Sequence, residues 1–167
     1  YIFDRNFLLK NKLNFIRNVN IGEDQLLIAK SFCCGKKFLF YKNFFYCKRL
    51  GVGSLSSKMG YEPCVDFLKV INEMCIFMKK RRLVGNKSEF MHERIRDPLI
   101  EIIPRFILLN NKDILKLFKF IKKNSKNLRI LNNKVKKNKV FSLLEKGNSF
   151  QDLLNYKRLI VEKIKKL

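Results

Sequence analysis

Residues 20–50 read NIGEDQLLIAKSFCCGKKFLFYKNFFYCKRL, and the change of pattern inside this run decides the expected fold. Gly22-Glu23-Asp24 opens an apolar stretch from Gln25 to Cys34, and two acids at a helix start suit the positive end of its dipole. Gly35 supplies a natural helix stop. Beyond it, Lys37 to Tyr41 and Phe44 to Arg49 are rich in aromatics and read as short strands. Gly51, Gly53, Ser54, Ser56 and Ser57 then make a flexible loop. A helix leading into a strand pair predicts α/β structure for the first third of the chain.

Upstream, Tyr1 to Lys10 is helix-compatible and Asn11 to Asn20 reads as a loop carrying Leu13 and Phe15. Downstream, residues 61–167 read as almost wholly helical. Pro63 to Lys80 places apolar residues at 64, 67, 68, 71, 74, 75 and 78, a helix face of period 3.6, closed by Arg81, Arg82 and Gly85. Ser88 to Leu109 predicts a helical stretch interrupted at Pro98 and Pro104. Asp113 to Lys123 is a basic amphipathic helix with Ile114, Leu117, Phe118 and Ile121 on one side. Ser149 caps a last helix, with Leu153, Tyr156, Ile160, Ile164 and Leu167 on one stripe.

Composition narrows the classes. With 47% hydrophobic residues in 167, the chain is too apolar to be disordered. The net charge of +23 favours polyanions as partners, although the richness in Lys, Asn, Ile and Phe also fits compositional drift. Cys33, Cys34, Cys47, Cys64 and Cys75 are odd in number and hold no CxxC, which argues against a disulfide framework and a zinc site and fits a reducing cytoplasm. No apolar run reaches the roughly 18 residues of a membrane span. The lone His92 sits in a charged helix and reads as a surface residue.

The candidate chemistry lies at Glu23 and Asp24. On spacing alone, capping and dipole compensation explain the pair better than catalysis does. The order of the surrounding segments adds a second argument. Ile2-Phe3-Asp4-Arg5-Asn6-Phe7-Leu8, then Phe15, Gly22-Glu23-Asp24, Gly35-Lys36-Lys37, Tyr46-Cys47-Lys48-Arg49 and Gly53-Ser54-Leu55-Ser56 follow one another. This ordered set, covering about the first 60 residues, resembles the closing part of the catalytic domain of bacterial family 2 glycosyltransferases.

The resemblance implies an α/β fold: the C-terminal portion of a GT-A, Rossmann-like domain over residues 1–60, followed by an all-helical extension over 61–167. It implies an inverting transferase in surface polysaccharide, lipooligosaccharide or capsule assembly. Asp24 is then the general base that takes the proton of the acceptor hydroxyl. Glu23 positions the acceptor or caps the helix. Lys48, Arg49, Ser54 and Ser56 lie near the diphosphate or over the acceptor, although a solvated strand end and a flexible turn explain them as well. The implied partners are a nucleotide-sugar donor and a glycan or lipid-linked acceptor, in the cytoplasm or on the inner face of its membrane.

The departures from the family pattern matter. No DxD motif and no nucleotide-binding strand–loop–helix occur, so both are expected upstream of Tyr1. The divalent metal, Mg or Mn, would come with that DxD motif and not with this chain. A chain lacking the donor-binding half is expected to be inactive alone. The missing QxxRW motif points to single-sugar addition.

The basic tail has its own readings. Residues 111–140 carry eleven basic residues and only one acid, Asp113. The Asp113–Lys123 helix joins an apolar side to several lysines, and such a helix can lie on an anionic membrane. A helical bundle with solvated lysines explains it slightly better. RNA binding is the rival function, but the charge is spread along the chain and no RNP, KH or zinc-finger pattern occurs.

Overall fold

The computed structural model describes residues 2–35, 37–39, 58–128 and 150–164. Their regular structure is helical: α1 (Arg5–Asn11), α2 (Glu23–Cys34), α3 (Tyr61–Arg81), α4 (Gly85–Ile107), α5 (Asn111–Leu128) and α6 (Phe150–Ile164). Asp4 caps α1 by accepting from the Phe7 N–H at 2.6 Å. Asn110 caps α5 by accepting from the Asp113 N–H at 2.9 Å. Ser149 and the side chains of Leu153, Ile160, Ile164 and Leu167 lie outside the described residues.

Helix α3 is the centre of the bundle. Twelve of its 21 residues are buried, more than one amphipathic stripe provides, because α2, α4 and α5 all pack on it. All seven positions expected on its apolar face are buried. Helix α2 contributes Leu26, Leu27, Ala29 and Cys33 to the same core, and the preceding loop adds Leu13, Val19 and Ile21. Residues from both sides of position 60 therefore enter one core. Helix α6 lies against α4 and α5, where Lys157 donates to the Leu109 carbonyl.

The α/β expectation is not met. Among the described residues there is no strand and no sheet. Of the first expected strand, residues 37–39 are irregular and exposed. Residues 40–57, with the second strand and the Gly-Ser loop, lie outside the described residues. Aromatic enrichment misleads because strand preference reflects packing on a pleated surface more than backbone preference. Phe38 instead stacks on Phe32 of α2, with centroids 4.5 Å apart and planes 11° from parallel. That stacking also explains Gly35, whose backbone is extended rather than left-handed. A Cβ at Gly35 would meet Phe38 Cζ at 2.6 Å, so the glycine makes room for the ring.

Two further expectations change. Helix α4 runs through Pro98 and Pro104 without interruption. An internal proline costs about 3 kcal/mol, but each fully buried aliphatic side chain returns about 1.5–3 kcal/mol. Met91, Ile95, Leu99, Ile102 and Phe106 form such a buried row along α4. His92 is buried on this helix, not at the surface. Its Nδ1 lies 2.7 Å from the Ser88 carbonyl and so carries the proton, because a carbonyl can only accept.

The apolar side of α5 faces the bundle, with Ile114, Leu117 and Ile121 buried and Phe118 half-buried. Ile114→Ala is expected to cost about 2–5 kcal/mol in urea unfolding. The exposed change Lys119→Ala on the same helix should shift stability by less than about 0.5 kcal/mol.

Candidate functional site

The site is built where the loop after α1 turns into α2, and α3 holds that turn in four places. Arg81 donates to the Asn11 carbonyl at 2.9 Å, fixing the end of α1. Lys69 donates to the Asn18 carbonyl at 2.8 Å. The buried carboxylate of Asp66 accepts the Asn20 N–H at 2.9 Å and pairs with Lys69 at 3.3 Å. Gly22 then packs on the Phe67 ring and on Val70, where a Cβ would sit at 3.4 Å. That is ordinary contact, so space does not demand the glycine. Its φ of +86° does, because side-chain-bearing residues rarely adopt it.

The left-handed turn at Gly22 starts α2 directly, without a side-chain cap. Glu23 and Asp24 therefore occupy the first turn, at the positive end of the helix dipole. Glu23 is half-buried and Asp24 exposed. Asp24 Oδ1 lies 2.7 Å from the Gln25 N–H and accepts from it. Neither carboxylate forms an ion pair among the described residues, although the chain carries 37 Lys and Arg.

The buried Arg105 guanidinium lies 5.2 Å from the Phe67 centroid, pairs with Glu101 at 2.7 Å and donates to the Lys58 carbonyl at 3.1 Å. The Phe67 ring thus meets both Gly22 and the Arg105 that binds the Lys58 carbonyl. Lys48, Arg49, Ser54 and Ser56 lie outside the described residues. Phe15, the apolar loop residue of the resemblance, is 60% exposed.

The sequence does not single out Asp66, Lys69 or Arg105, and it marks Phe67 only as part of an apolar helix face. Asp66 and Arg105 could have been noticed as charges placed among apolar helix positions. Besides the local partners Lys69 and Glu101, they bind backbone groups 46 and 47 residues away, which no local pattern reveals.

Other chemistry finds little support here. No three His, Cys, Asp or Glu converge to hold a metal among the described residues. Burial pushes the thiols of Cys64 and Cys75 up to about 12, and burial together with Cys34 pushes Cys33 to about 11. Such thiols stay protonated at neutral pH and are poor nucleophiles.

Over 95 residues the chain is 28% identical to the succinoglycan biosynthesis protein ExoO of Rhizobium meliloti (strain 1021). The chain is similar to a polysaccharide-biosynthesis protein. The match covers 57% of this chain and 26% of the relative, so it spans about a quarter of that protein's length. No protein-family model matches the chain, and no solved structure matches it significantly.

Asp66→Ala should strand the Asn20 N–H and cost about 1–3 kcal/mol, with faster hydrogen exchange at the Asn20 amide. Iodoacetamide at pH 8 should leave Cys33, Cys64 and Cys75 unmodified in the native protein and alkylate all three in urea, as read by mass spectrometry.

Proposed function

We propose that this chain is part of an inverting glycosyltransferase of the family 2 type, acting in bacterial surface-polysaccharide assembly. The ordered motifs of residues 1–56 and the similarity to a succinoglycan biosynthesis protein support this reading. The observation that carries it is the state of Asp24. In a chain of net charge +23, its carboxylate is solvent-facing and has no ion-pair partner among the described residues. It also stands on a turn that α3 holds by hydrogen bonds to residues 11, 18 and 20. A general base needs both properties: a lone pair open to the acceptor and a fixed position. The reading rests on this site and not on a sheet.

In the proposed step, an Asp24 carboxylate oxygen takes the proton of the acceptor hydroxyl. The hydroxyl oxygen bonds to the anomeric carbon of the donor sugar. On the opposite side the bond from that carbon to the diphosphate oxygen breaks, and the nucleoside diphosphate leaves with the electron pair, so the configuration inverts. Glu23, half-buried beside the base, orients the acceptor. Lys48, Arg49, Ser54 and Ser56 are assigned to the diphosphate and the acceptor, where cations and hydroxyls offset developing negative charge.

The divalent metal implied by the resemblance has no ligand set among the described residues, and no step here runs through it. The nucleotide-sugar donor is assigned to a part of the enzyme that precedes this chain. The acceptor is a glycan or a lipid-linked glycan, and the reaction is placed on the cytoplasmic side of the membrane.

Asp24→Asn in the complete enzyme is expected to lower kcat by about 10²–10⁴-fold while keeping the fold and costing no more than about 1 kcal/mol of stability from the lost helix-dipole charge. Full activity in that variant would sink the assignment.

A further inference from the structure

The sequence suggested that α5 could lie on a membrane through its apolar side. The structure closes that route, because Ile114, Leu117 and Ile121 are buried in the bundle. The opposite side of the helix is different in kind. Lys112, Leu115, Lys119 and Lys123 are exposed at i, i+3, i+7 and i+11, which places them along one stripe. Leu108, at the end of α4 just before this helix, is 64% exposed, and Leu115 is 38% exposed.

We propose that this corner, where α4 runs into α5, is the surface by which the protein rests on an anionic lipid bilayer. Charge complementarity supports it. The single acid of α5, Asp113, is held by Asn110 and by Lys116 at 3.1 Å. Lys112, Lys119 and Lys123 form no ion pair among the described residues. A bilayer interface satisfies both parts of the corner at once: headgroups meet the ammonium groups, and the acyl boundary takes the two leucines out of water. RNA fits less well. Its recognition draws on arginine and on open aromatic rings for stacking, whereas α5 has no arginine and its Phe118 and Phe120 are half-buried. This inference stands apart from the glycosyl-transfer reading, since it is tested without transfer.

The test is flotation of the protein with vesicles of phosphatidylcholine alone or with phosphatidylglycerol added. Binding to the anionic vesicles alone is expected. The triple change Lys112→Gln, Lys119→Gln, Lys123→Gln should lower the partition coefficient on the order of a hundredfold. Leu108→Ser with Leu115→Ser should lower it about tenfold. Thermal melts identify any variant that fails to fold. In that event the single change Lys119→Gln, expected to lower partition about fivefold, replaces it. Absence of binding to anionic vesicles overturns the proposal. So does equal binding to neutral vesicles, or unchanged partition in both folded variants. RNA binding that needs these lysines, without vesicle binding, assigns the corner to nucleic acid instead.

Discussion

Burial of α3 on several sides at once is the constraint from which the remaining geometry follows. A helix that faces solvent on one side needs only a stripe of apolar residues. This one is covered by α2, α4 and α5, so Val65, Val70 and Phe77 are buried in addition to the expected face. Each such side chain contributes about 1.5–3 kcal/mol when removed from water. A carboxylate placed on a helix this enclosed must find partners. Asp66 finds them in the Asn20 N–H and Lys69, and in doing so fastens an otherwise irregular loop to the core.

That fastening connects packing with chemistry. The loop of residues 12–22 has no regular structure of its own, yet its carbonyl at Asn18 and N–H at Asn20 are bound by α3 side chains. The turn at Gly22 rests on Phe67, whose ring also meets Arg105. Two carboxylates are therefore presented at a helix start whose position is set by the core. A fixed turn carrying an accessible carboxylate is a better platform for proton transfer than a free loop. The same arrangement is also what dipole compensation alone would produce, and only the chemical role distinguishes the two.

Legibility differed by element for physical reasons. Helices α3 and α5 could be read because their apolar residues recur at 3.6 in patterned runs, and α2 because two acids open an apolar stretch that ends at Gly35. The continuity of α4 could not. Proline is a local signal against helix, while the buried row from Met91 to Phe106 that outweighs it depends on α3 being adjacent. His92 looked like a surface residue because charged residues surround it in sequence, but its ring turns inward against the Ser88 carbonyl. The strand expected over Lys37 to Tyr41 rested on aromatic content, and its described part, residues 37–39, is irregular. A ring that stacks back on Phe32 satisfies the same hydrophobic demand without pairing a backbone.

By itself the sequence determined that α3 and α5 are helices, the apolar stripe each carries, the cationic excess, and the placing of Glu23 and Asp24 at a helix start. These follow from periodicity and from residue type, which are properties of short segments. The tertiary structure alone decided that the described part of the chain builds helices without a sheet. It also decided that Asp66, Lys69 and Arg105 reach backbone groups of distant segments, and that the apolar side of α5 faces inward while its lysines face out. Each of these depends on which segments lie side by side, and that is settled by the mutual burial of elements far apart in the chain.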